Sequence, residues 1–184
     1  MSLRADAHAT LSDWQAPDAE QERLRRLYVA HLDARPDAML RECRPDHLTG
    51  SAIIFSADHQ SVLLTLHHLA KLWLQTGGHC EPSDATLAGA ALREGREESG
   101  IEMLTIDPVP VLLSRHEVPF CGPVQPAHHL DVQYVAVAPA DAQHAISDES
   151  DDLAWFDLDK LPAQTDQEVR DLIAAATTRL RGTP

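Results

Sequence analysis

Glu94, Glu97 and Glu98 fall within little more than one helical turn of the stretch GAALREGREESGI, which starts at Gly89 and runs through Gly100 to Ile101. That placement works against a helix. The C-terminal end carries the negative pole of the backbone dipole, so a basic residue is favoured there, and carboxylates four residues apart repel by a few tenths of a kcal/mol. A hard divalent cation removes the conflict, because Mg²⁺ takes oxygen ligands, usually one or two carboxylates completed by phosphate oxygens and water. The chemistry these residues suit is therefore cation-assisted handling of a phosphate compound. A formal net charge of −14 makes the same demand, since an anionic ligand needs either a cation or a local cluster such as Lys71, Arg93 and Arg115.

At about 100° per residue, with Leu87 as zero, Glu94, Glu97 and Glu98 lie near 340°, 280° and 20°, while Ala88, Ala91, Leu92 and Gly95 lie between about 40° and 140°. The acids thus border the apolar face instead of opposing it. Arg93 precedes Glu97 by four residues and can pair with it. The helix is expected from about Ala85 to Ser99, with Gly100 as its left-handed stop and Asp84 suited to its start as a cap. Before it, LWLQTGGHCEPSD is rich in breakers and reads as a loop, in which Gly77 and Gly78 allow close approach of backbone to phosphate.

The elements that must carry this helix follow from periodicity. DAEQERLRRLYVAHLDA, from Asp18 to Ala34, has helical spacing and is stopped by Arg35-Pro36-Asp37. LTGSAIIFS and SVLLTL, separated by ADHQ, read as a hairpin; VPVLLSRHEV, LDVQYVAVA and LAWFDL read as further strands, and a closing helix covers about 165–181. The expectation is an α+β chain with one mixed sheet: a helical extension over 1–45 and a single domain over 46–184.

Composition narrows the function classes. Lys and Arg number 15 against 29 Asp and Glu, with no basic stripe, which argues against a nucleic acid polymer as partner. No apolar run approaches the roughly 20 residues that span a bilayer, and the start lacks a signal-peptide pattern, so no membrane association and a cytoplasmic location are expected. Cys43, Cys80 and Cys121 are widely spaced and read as reduced thiols. Eleven histidines, including His47, His79, His67-His68 and His128-His129, show no zinc-ligand spacing and are read as surface or pocket-lining residues, with His79 beside the glycines as a phosphate or product contact.

GGHCEPSDATLAGAALREGREESGI resembles the signature of the Nudix hydrolases, with Arg93, Glu94, Glu97, Glu98, Gly100 and Ile101 matching its second half position by position. The likeness extends over about residues 46–162 and includes SDESDDLAWFDLDKLP, similar to the family's late acidic loop and Trp-bearing strand. It departs in three respects: counted from Gly78, Asp84 lies where the family has Glu but its gap to Arg93 is one residue too long, Gly95 replaces a hydrophobic residue, and GGHCEP resembles a subset of the family with unassigned substrates. The resemblance implies an α-β-α sandwich around a mixed sheet and Mg²⁺-dependent hydrolysis of a diphosphate linkage in a nucleoside diphosphate joined to another moiety, with Mn²⁺ as a substitute and a homodimer possible. Glu97 and Glu98 would hold the metal with Gly78, Glu94 would act as proton acceptor or further ligand, and Arg93 would orient the acids. His79 and Arg115 would bind substrate. Glu149, with Asp148 and Asp151 as neighbours, would supply a late carboxylate. Trp73, Phe120, Tyr134 and Trp155 are the residues able to stack on a base.

Two rival readings stand beside this one. Isopentenyl-diphosphate isomerases resemble the same fold and use a Cys and a His near this loop, but here the order His79-Cys80 is reversed and the Arg-Glu/Glu-Glu core is intact. A Nudix-like module that senses a nucleotide without cleaving it would need an attached DNA-binding domain, for which the first 45 residues carry too little basic charge.

Overall fold

The β-branched and apolar runs pair into one mixed sheet, and helices on both of its faces bury the alternate side chains. The computed structural model describes residues 1–119, 124–146 and 150–182. In chain order its elements are α1 (Leu3–Asp13), α2 (Ala19–Ala34), β1 (Asp46–Phe55), β2 (Ser61–His67), β3 (Trp73–Leu74), β4 (Thr76–His79), α3 (Leu87–Ser99), β5 (Thr105–Ile106), β6 (Leu112–Glu117), β7 (His128–Val137), β8 (Ser150–Asp157) and α4 (Gln167–Gly182).

β1 organises the sheet. It runs parallel to β7 from Asp46 opposite His128 to Phe55 opposite Val137. Its other edge is shared: β4 pairs antiparallel with Thr49 to Ala52, and β2 takes over at Ile54 and Phe55. β5 and β6 extend the sheet beyond β7, while β3 and β8 flank β2.

Side chains alternate across this sheet. Leu48, Ala52 and Ile54 of β1, with Leu130, Val132, Tyr134 and Ala136 of β7, join a core that includes Ala7 and Leu11 of α1, Leu24, Tyr28 and Leu32 of α2, and Leu87, Ala90 and Ala91 of α3. Ile53, Phe55 and Val135 face the other way and pack with Val169, Leu172, Ile173 and Ala176 of α4. That second face changes character along β1: His47, Thr49 and Ser51 are buried polar residues where α4 no longer supplies an apolar cover.

Three sequence expectations change. The loop before α3 contains β3 and β4, because Gly77 meets Ser51 at a separation no side chain allows: a Cβ on Gly77 would lie 2.3 Å from the Ser51 Cβ. The N-terminal region holds an additional helix, α1, whose Asp6 accepts a hydrogen bond from the Leu87 backbone N–H at 2.8 Å and so caps α3 from outside. Thr86, not Asp84, is the local N-cap, accepting from the Gly89 N–H. Gly100 ends α3 at φ 69°, as its position predicts.

Gly95 sits mid-helix against the sheet. A Cβ there would meet Leu104 Cδ1 at 3.4 Å, Thr76 Oγ1 at 3.5 Å and Ile54 Cδ1 at 3.8 Å, all ordinary contact distances. Gly95→Ala is therefore expected to stabilise the protein by about 0.5–1 kcal/mol through helix propensity and unfolded-state entropy. A thermal melt showing a lower midpoint would mean that α3 and the sheet lie closer than these contacts describe.

Candidate active site

α3 and β4 bring the acids together. Glu98 Oε1 accepts a hydrogen bond from the Gly77 N–H at 2.9 Å, and the Glu94 carboxylate occupies the space a side chain at Gly78 would need, 2.7–2.8 Å from the position of its Cβ. Only glycine permits that approach. Glu94 is 16 % exposed and Glu97 59 % exposed, so the cluster runs from the helix–strand seam to the surface.

Arg93 ties the cluster to the strand. Its Nε and Nη2 donate to the two oxygens of Asp84 at 3.1 Å each, its Nη1 donates to Glu94 at 2.9 Å and Glu97 at 3.0 Å, and its Nη2 also donates to the His79 carbonyl at 2.9 Å. The fork onto Asp84 is bidentate and its carboxylate is only 6 % exposed. The hydrogen bonds it donates to Asp84, and then the Glu94 charge, push the Arg93 guanidinium well above its ordinary range against the opposing effect of burial. Asp84, one residue out of register with the family pattern, is thus an anchor for Arg93. Among the described residues, one guanidinium holds three carboxylates, from Asp84, Glu94 and Glu97, and Glu98 stands beside them on the Gly77 N–H. The donors of this seam are hard oxygens, held close against the two glycines. This set fits Mg²⁺.

The remaining expected residues fall in different places. Arg115 lies on β6 beside the edge covered by α2, ion-paired with Asp46 at 3.5 Å and hydrogen-bonded to His128 Nδ1 at 3.0 Å. Lys71 pairs with Asp151, which His68 also contacts at 2.6 Å. Lys71, Arg93 and Arg115 therefore form no shared cluster; each is held by its own carboxylates. Glu149, Asp148, Phe120 and Cys121 lie outside the described residues. Tyr134 is fully buried in the first core and cannot stack on a ligand, whereas Trp73 packs edge-on against Phe156. Cys43 and Cys80 are buried free thiols, and burial pushes Cys80 up to about 12.

Strand spacing hid a second polar group. On the face opposite α3, β4 carries His79, β1 His47, β7 His129 and β6 His116, and the rings of the first three are mutually 5.0–5.1 Å apart. Asp131, two residues from His129, is buried and accepts from Thr49 Oγ1 at 2.9 Å and Ser51 Oγ at 2.6 Å; desolvation raises its pKa. Desolvation also lowers the imidazoles, His79 to about 4 and His129 to about 2, with neighbouring histidines adding to the effect. Four strands contribute one histidine each, so no sequence spacing could have announced the group; the signal available was the high histidine count alone.

His129 has a direct consequence for stability. Its folded pKa lies below the ordinary value near 6.5, so between about pH 6.5 and pH 2 the unfolded chain binds a proton that the folded chain refuses. Its contribution is neutral above pH 6.5 and turns against folding as the pH falls, by at most about 1.4 kcal/mol per pH unit. His129→Gln is expected to flatten the slope of unfolding free energy between pH 6.5 and 4.5 by close to one proton in metal-free buffer. Equal slopes in denaturant titrations of the two proteins would show that His129 protonates freely in the folded state.

Comparison with known proteins adds the family. The family model for the NUDIX domain matches residues 45–176. No match is found among curated proteins. Among solved structures, a NUDIX family hydrolase from Clostridium perfringens is 24 % identical with a TM-score of 0.60, over 73 % of this chain and 97 % of that one. The Caenorhabditis elegans Ap4A hydrolase binary complex is 20 % identical with a TM-score of 0.61, over 73 % and 98 %. The NUDIX domain of Shewanella oneidensis NrtR, complexed with ADP ribose, is 21 % identical with a TM-score of 0.54, over 82 % and 97 %. These likenesses establish the shared fold, and the family model covers most of the chain. With the loop–helix motif folded into one acid-lined seam, the chain belongs to the NUDIX domain family.

Proposed function

We propose that the chain hydrolyses, with Mg²⁺, the diphosphate linkage of a nucleoside diphosphate derivative at the seam between α3 and β4. The observation that carries this reading is the gathering of carboxylates around Arg93 beside a strand that must be glycine at Gly77 and Gly78. Such an arrangement destabilises a metal-free helix end and is explained by a ligand that brings positive charge. Glu97 and Glu98 would hold the ion with Gly78, and Mn²⁺ could replace it. A bound divalent ion there supplies charge for phosphate oxygens and a lowered pKa for water.

The residues around it divide the remaining work. Glu94, bonded to Arg93 and lying against Gly78, would accept a proton from the attacking water or serve as a further ligand. Arg93 keeps Glu94 and Glu97 oriented and fastens them to the backbone of His79. Glu149 remains the candidate for a late carboxylate. Arg115 has no part in this reading, because Asp46 and His128 occupy it on the α2 side. Ap4A and ADP ribose, the compounds named with two of the similar structures, define the first substrates to try. A sensor without catalysis is the alternative, and the intact acid set weighs against it.

Cleavage of Ap4A, ADP ribose, nucleotide sugars, nucleoside triphosphates or coenzyme A into its two phosphorylated products, separated by chromatography, should appear for at least one compound with Mg²⁺ and disappear in EDTA. Glu98→Gln should lower kcat by on the order of 10²-fold while metal-free protein keeps its fold. Turnover that persists in EDTA, or in Glu98→Gln, would contradict the proposal.

A further inference from the structure

Side chains of successive β4 residues point to opposite faces of the sheet, so the strand that carries Gly78 toward Glu94 carries His79 away from it. There His79 meets His47 from β1 and His129 from β7, whose Cα atoms are direct partners in the parallel pair. One ligand-capable atom from each of the three lies within 4.8 Å of the other two. Asp131, on the same face, is not one of the group and has its oxygens engaged by Thr49 and Ser51.

Two further observations distinguish this group from a stack of rings filling space. Among the described residues the buried Nε2 of His129 has no hydrogen-bond partner, and leaving such a nitrogen unmet costs free energy that packing of aromatic edges does not return. His47 Nδ1 lies 3.3 Å from the Cys43 carbonyl, which can only accept; the ring donates there, and this fixes its tautomer in the neutral form. An outer hydrogen bond of this kind is the usual partner of a metal-bound histidine.

We propose that His47, His79 and His129 form a three-imidazole site for a borderline divalent ion such as Zn²⁺, separate from the carboxylate seam and facing the opposite side of β4. Nitrogen donors select Zn²⁺, Co²⁺ or Ni²⁺ over Mg²⁺, whereas the oxygen donors on α3 do the reverse. Zn–N bonds of about 2.0 Å in a tetrahedron bring the nitrogens to roughly 3.3 Å apart, a contraction within reach of small side-chain rotations. Three protein ligands leave one position open, and His116, its ring 5.5 Å from that of His129, borders the group. The two sites are mechanically joined, since Arg93, which organises the acids, also binds the His79 carbonyl. The proposal does not depend on the diphosphatase reading.

The test uses the full chain stripped by chelator, re-dialysed against Zn²⁺ or Co²⁺ with millimolar Mg²⁺ present, and analysed for bound metal. One equivalent of Zn²⁺ is expected, with visible d–d absorption of tetrahedral character for Co²⁺. His79→Gln and His129→Gln should each weaken Zn²⁺ binding at least about 100-fold, while the double variant Glu97→Gln/Glu98→Gln retains it. Because buried histidine variants can fail to fold, imidazole ¹⁵N spectra of the wild-type protein provide the second readout, in which Zn²⁺ must shift the ligating nitrogens of three histidines. Sub-stoichiometric binding, binding indifferent to the histidine variants, binding lost in the glutamate variant, or unmoved imidazole resonances would each overturn the proposal.

Discussion

The guanidinium of Arg93 is the contact on which the site depends. It reaches Asp84 in the loop, Glu94 and Glu97 on its own helix, and the backbone of His79 on the neighbouring strand. Five hydrogen bonds from one planar group fix the helix, the loop and the strand relative to one another, and a lysine, with a single nitrogen, could not reproduce that fork. The arrangement also sets the electrostatics. One positive charge gathers three carboxylates that would otherwise repel, which holds the geometry of the seam and, on the function proposed above, presents its oxygens to a divalent cation.

The rest of the fold serves that seam. Gly77 and Gly78 let β4 approach β1 on one side and Glu94 on the other, at distances a methyl group would forbid. α1 reaches over the start of α3, where Asp6 meets the Leu87 N–H, and its Ala7 and Leu11 share the core beneath. The N-terminal residues thus help to hold the helix that carries the acids. On the far face, the polar patch of β1 and β7 begins where the apolar cover of α4 ends, which places His47, Asp131 and their neighbours behind the strand that carries the glycines.

Much of this was legible in the sequence, for local reasons. The spacing of Arg93, Glu94, Glu97 and Glu98 is a helical pattern, and its conflict with the helix dipole could be read without coordinates. The strands β1, β2, β6, β7 and β8 have the apolar composition that the sheet requires, and α2 and α4 carry apolar residues at helical spacing. What stayed hidden depends on tertiary contact. β4 has almost no strand propensity in Thr-Gly-Gly-His and exists because β1 lies beside it. α1 lacks a marked apolar stripe and is held by α2 and α3. Asp84 looked like a cap and is a partner of Arg93, because the longer loop folds it back to the guanidinium. The histidine triangle draws on strands that sequence order separates, so only the register of β1 with β7 and β4 assembles it.

The central claim is that the α3 acids are arranged for a divalent cation and not for the stability of the helix. Calorimetric unfolding as a function of Mg²⁺ concentration tests it most directly, since a ligand that binds only the folded state raises stability by mass action. The wild-type midpoint should climb with Mg²⁺ and continue to rise with the logarithm of its concentration above the dissociation constant, and this rise should vanish in Glu97→Gln/Glu98→Gln. An Mg²⁺-independent midpoint in the wild-type protein, or an equal rise in the double variant, would contradict it.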